Sequence, residues 1–160
     1  KLLAELRVIA AREKKILQRL TVADVRSMLR DIRRTDLNKN VPLLLKKLTG
    51  HGPPHLSDDM AARIEHLFTK AIDMSETLQA ADDCRRVNRH YYPYYILKII
   101  DFIASPDDNE TRRILYYIHV QSPQTVQLDD ENWKKICDAL PDDLEYRPTD
   151  RDIGSNYAPF

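Results

Sequence analysis

Arg26, Arg30 and Arg33 recur at spacings of four and three, with Arg34 beside them and Lys46 and Lys47 a short way on. On a helix that spacing aligns three guanidiniums along one face. Such a stripe can neutralise phosphates, and its binding would weaken steeply with salt. A solvated helix face paired with Asp24, Asp31 or the acidic C-terminal end accounts for the same residues. A second cluster, His90-Tyr91-Tyr92-Pro93-Tyr94-Tyr95, follows Arg85, Arg86 and Arg89. Aromatic rings among basic residues can stack on bases. Tyrosines leading into a very apolar helix, however, read first as residues of a core edge.

Catalytic and metal chemistry find no constellation. His51 and His55 stand four apart, but Gly52, Pro53 and Pro54 between them forbid the helical geometry that would aim both at one ion. There is no Cys-x-x-Cys pair, and no cysteine has a histidine at zinc-site spacing. The Gly-x-Ser-x-Gly elbow of a serine hydrolase is missing, and the three glycines build no phosphate-cradling loop. Cys84, beside Arg85 and Arg86, is the one thiol whose neighbours favour a thiolate. The late carboxylates come as Asp-Asp pairs at helix starts, where capping explains them. The sequence therefore predicts a protein that is not an enzyme, with no metal, no cofactor and no small-molecule substrate.

These residues need elements to hold them, and hydrophobic periodicity supplies a mainly α plan of about six helices. Leu2, Leu6, Ile9, Ile16 and Leu20 follow helical spacing, predicting an N-terminal amphipathic helix over residues 1–20 that docks on the core or is offered to a partner. Thr21 caps a second helix that buries Val22, Val25, Leu29 and Ile32. Val41 to Leu48 form a short apolar helix closed by Gly50 and the pair Pro53-Pro54. A fourth helix starts at Ser57 or Asp58 and runs to about Leu78, with residues 79–83 as its end or a linker. Pro93 to Ile103 read as a central helix. Residues 110–120 fit helix and strand alike. Asp129 or Asp130 opens a last helix with Trp133, Ile136, Cys137 and Leu140, which Pro141 stops. One helical domain over 21–140 results, with an extended acidic tail over 141–160.

With 160 residues, 42% hydrophobic and 31% charged, the chain can bury an ordinary core. No stretch reaches the roughly 20 apolar residues of a membrane-spanning helix. No secretory signal is visible, and the chain opens at Lys1 already inside a helical pattern, as expected for a piece of a longer or processed product. Cys84 and Cys137 read most simply as reduced thiols. The formal net charge of zero conceals a gradient: residues 1–50 carry 13 Lys+Arg against 5 Asp+Glu, while residues 105–160 carry 6 against 12. A basic head and an acidic tail suit an anionic partner, mutual packing, or head-to-tail pairing between copies.

Three segments, in order, carry a resemblance. The first is Leu44-Leu45-Lys46-Lys47-Leu48-Thr49-Gly50-His51-Gly52-Pro53-Pro54. The second runs from Arg86-Val87-Asn88-Arg89-His90-Tyr91 into Tyr94-Tyr95-Ile96-Leu97-Lys98-Ile99-Ile100. The third is Asp130-Glu131-Asn132-Trp133-Lys134-Lys135-Ile136-Cys137 with Glu145-Tyr146-Arg147-Pro148 after it. Over about residues 24–148 the chain resembles the poxvirus late transcription factor 3-like proteins of large eukaryotic DNA viruses. That resemblance implies a helical domain acting in late, post-replicative viral transcription, in the cytoplasmic virus factory or nucleus of an infected cell. It makes Thr49, Gly50, Pro53, Pro54, Arg89, Tyr91, Tyr95, Lys98, Asp130, Trp133 and Cys137 the family-motif residues, read as structural. Two departures stand out: no zinc-binding segment is visible, and the expected Leu-Lys-Ser-x-x-Lys stretch is here Val120-Gln121-Ser122-Pro123-Gln124-Thr125. The implied partners are viral proteins of the transcription machinery, with nucleic acid at Arg26, Arg30, Arg33, Arg34, Lys46 and Lys47. The alternative is a virion or minor capsid component using the domain to bind other proteins.

Overall fold

Thr21 fixes the first clear helix start. Its hydroxyl accepts from the Asp24 amide at 3.2 Å, while the Asp24 carboxylate accepts from the Thr21 amide at 2.9 Å. This reciprocal capping box satisfies amides that the helix itself leaves open. In the computed structural model, which describes residues 1–81 and 91–149, seven α-helices form around such starts, joined by short 3-10 turns and with no strand among the described residues. They are α1 (Leu2–Arg12), α2 (Val22–Asp31), α3 (Val41–Thr49), α4 (Asp58–Ala81), α5 (Tyr92–Ile103), α6 (Asn109–Arg113) and α7 (Pro123–Ala139). The fold is mainly α.

The first helix is shorter than the 1–20 expected from periodicity. It stops at Arg12, and Lys14 takes φ +56°. The Lys15 amide then reaches back to the Ala10 carbonyl and the Lys14 amide to Ala11, a Schellman closure made without glycine. Ile16 is consequently exposed in the connection, while Leu20 is buried beyond it. The same closure ends α2: Arg33 takes φ +56°, and the Arg34 amide bonds the Leu29 carbonyl. Gly50, at φ +82°, closes α3 in the orthodox way.

Apolar side chains then sort into two cores. Leu6, Ile9 and Ala10 of α1 meet Val25, Met28 and Leu29 of α2 and Val41, Leu44, Leu45 and Leu48 of α3. Each fully buried Leu or Met here contributes about 1.5–3 kcal/mol of hydrophobic stabilisation. The second core takes Ile64, Leu67 and Ala71 from α4, Leu97, Ile99 and Ile100 from α5, and Trp133, Ile136 and Cys137 from α7. Tyr95 lies edge-on to Trp133, ring centroids 5.4 Å apart, and its hydroxyl donates to Ser75. That settles the core reading of Tyr94 and Tyr95, both buried.

Residues 110–120 resolve as α6 followed by a 3-10 turn, Ile114–Tyr117. The turn sends Leu115 into the second core and Tyr117 into the first. The last helix starts earlier than expected, at Pro123, because Ser122 caps it by accepting from the Thr125 amide. After Ala139 no further helix follows among the described residues, and residues 140–149 lie against the second core through buried Leu144 and a 2.7 Å ion pair between Asp143 and Lys70.

Candidate nucleic-acid interface and the cleft beside the first core

The arginines predicted to share one face differ in their settings. Arg26 is half-buried in the seam between the cores, its guanidinium donating to the Ile118 carbonyl at 3.4 Å. Burial there pushes its pKa down from the usual guanidinium range. Arg30 is exposed on the last turn of α2. Arg33 sits beyond the helix end in the left-handed turn. Arg34 is exposed and bonded twice to Asp36, at 3.0 and 3.1 Å. Lys46 and Lys47 are exposed on the last turn of α3. The outward cations of this set are Arg30, Arg33, Arg34, Lys46 and Lys47, of which Arg34 is paired with Asp36; Arg26 belongs to the seam. The candidate partner helix divides in the same way, with Leu6 and Ile9 buried, Leu2 half-buried, and Ile16 and Leu20 off the helix.

A feature with no local sequence signal lies nearby. The 3-10 turn Leu17–Arg19, the start of α2, the end of α3 and Arg113–Tyr117 enclose a cleft of about 830 Å³. Its floor is Leu20, Val22, Leu45 and Tyr117, and its polar wall includes Arg19, Thr49, His51 and Arg113. The cleft is assembled from segments near residues 20, 50 and 115. Spacing within any one of them reveals nothing of it.

A family model described as Poxvirus Late Transcription Factor VLTF3 like matches residues 1–146. The chain belongs to that family. It is also 46% identical over 153 residues to zinc finger protein B385R of African swine fever virus, in isolates from a pig in Kenya and a tick in Malawi. The match covers 94% of this chain and 38% of the relative, so the chain spans little more than a third of these curated relatives. No solved structure matches.

In this VLTF3-like chain most of the described motif residues make contacts within the fold. The Thr49 hydroxyl donates to the Leu45 carbonyl and accepts from the His51 amide, each at 2.9 Å, shaping the turn in which Gly50 sits. Gly52 lies against the methylenes of Lys46, where an added Cβ would be 3.4 Å away. Pro53 and Pro54 follow in the connection to α4. Tyr91 donates to the His119 carbonyl at 3.1 Å, beside Arg26. The His119 imidazole is held below its ordinary pKa by burial and then by Arg26. Arg89, with Cys84 and His90, lies outside the described residues.

Lys98 and Asp130 form a latch. The Lys98 ammonium, 2% exposed, donates to the Arg147 carbonyl and, at 3.2 Å, to the Thr149 hydroxyl, with the Asp130 carboxylate at 3.8 Å. Asp130 accepts from the Tyr94 hydroxyl and from the Thr149 amide and hydroxyl. Burial lowers the Lys98 pKa and Asp130 opposes that shift.

The relatives' name raises zinc, and the described residues do not fit it. Among them no group of three or more His, Cys, Asp or Glu side chains could hold a metal ion. Cys137 is buried in the second core, where burial pushes its thiol up to about 11, away from the thiolate that zinc needs.

Proposed function

We propose that this chain is the late transcription factor-like domain of a viral protein, binding nucleic acid, viral transcription machinery, or both, without catalysing a reaction. Its place of action is then the infected cell, in a virus factory or the nucleus. The observation that carries the reading is the family match over residues 1–146, joined to a basic head: 13 Lys+Arg against 5 Asp+Glu in residues 1–50. The helices of that segment, α1 to α3, form a core of their own. A cationic segment favours an anionic partner through counterion release.

Duplex-DNA binding at low and moderate salt tests the proposal. Wild type is compared with Arg30→Ala/Arg33→Ala/Lys46→Ala/Lys47→Ala, leaving Arg26 in place because its loss would disturb the seam. Binding through these four residues predicts a log–log salt slope shallower by about three to four in the variant. Failure of wild type to bind at low salt would remove direct DNA contact. Co-purification with the viral polymerase would then support the machinery-binding form, and stoichiometric recovery in capsid shells would favour a structural role instead.

A further inference from the structure

We infer that the cleft beside the first core is a binding site for a nucleoside phosphate, either a free nucleotide or one unit of a nucleic-acid strand. At about 830 Å³ it is large enough for such a ligand, within the range of ordinary small-molecule sites. Its chemistry is divided as that ligand requires. An apolar floor of Leu20, Val22, Leu45 and Tyr117 suits a base, and Arg19 and His51 in the lining supply donors for a phosphate. No carboxylate lines the cleft among the described residues, in a chain that carries 25 Asp and Glu. Asp24, close by in sequence, is engaged by Thr21 and by Lys15 at 2.8 Å. Among the described residues no carboxylate forms an ion pair with Arg19 or His51.

This inference departs from the sequence expectation that no small molecule is involved, and it does not use Arg30 or Arg33 of the basic face. The separation is physical. Arg30 and Arg33 do not line the cleft, and Arg19 and His51 were not among the stripe residues.

The test is titration of the full chain with AMP, ATP and a short single-stranded oligonucleotide at low salt. It uses wild type, Arg19→Glu/His51→Ala and Arg30→Ala/Arg33→Ala. Arg19 and His51 are exposed, so thermal melts should show both variants folded. Saturable nucleotide binding that weakens about tenfold or more in Arg19→Glu/His51→Ala, but little in Arg30→Ala/Arg33→Ala, supports the site. Binding of the oligonucleotide alone with that same pattern supports it too and identifies a strand as the source. No saturable binding of any probe, or binding indifferent to Arg19→Glu/His51→Ala, overturns it. Loss of oligonucleotide binding in Arg30→Ala/Arg33→Ala only would overturn the cleft while sparing the basic face.

Discussion

At the residue scale, Asp130 shows how a motif carboxylate serves the fold. It accepts from Tyr94 and Thr149 and faces the buried ammonium of Lys98, so α5, α7 and the segment after α7 meet on one side chain. Removing one member of a buried charge pair strands the other in a low dielectric. Asp130→Ala is therefore expected to cost about 3 kcal/mol in urea unfolding. Lys98 keeps its bonds to Arg147 and Thr149, so collapse is not expected. Replacing both charges, as Lys98→Met/Asp130→Leu, should recover part of that loss, since an apolar pair carries no desolvation penalty. Amide exchange over residues 144–149 should quicken in the single variant. Unchanged exchange there would show that Leu144 and Lys70–Asp143 hold the segment without the latch.

At the element scale, three helix ends among the described residues use the left-handed region and only one of them uses glycine. Lys14 and Arg33 carry side chains at φ +56°, and Gly50 sits at φ +82° with nothing within 4 Å of its absent Cβ. A side chain in this region costs roughly 1–2 kcal/mol, against which glycine loses some chain entropy. Lys14→Gly should thus stabilise by about 0.5–1 kcal/mol, and Gly50→Ala should destabilise by about 1 kcal/mol, with Gly50→Asn in between. Denaturant midpoints at constant m check both signs. The same positions explain what the sequence revealed. Thr21, Ser57 and Gly50 are residues whose chemistry marks a helix boundary, and the helices beginning or ending at them were legible. Lys14 and Arg33 carry no such mark, so periodicity ran through both stops, and the arginine stripe with it. The mainly α class was readable because burial at helical spacing is a local property. The cleft was not, because residues 19, 51 and 113 meet only through tertiary packing.

At the scale of the whole molecule, the turn Ile114–Tyr117 reaches into both cores. Leu115 enters the second core and Tyr117 the first, while the carbonyls of Ile118 and His119 accept from Arg26 and Tyr91. Cooperativity between the halves should therefore depend on the Tyr117 ring. The protein carries a natural reporter for this: its single tryptophan, Trp133, lies in the second core, whereas far-UV circular dichroism sees helices of both. In wild type the two signals should unfold together. Tyr117→Ala removes a large buried ring and should cost about 3–5 kcal/mol, nearly all of it in the core of α1 to α3. The dichroism transition should then begin at lower denaturant than the Trp133 transition, the mark of broken two-state behaviour. Tyr117→Phe keeps the ring and should keep the transitions coincident. Coincident transitions in Tyr117→Ala, shifted equally, would mean that the seam couples the halves through Arg26 and Tyr91 instead. A split would also bear on binding, because Tyr117 floors the cleft and Arg113 of α6 also lines it. Any ligand held there binds only the joined form, so it should draw the two transitions back together by mass action.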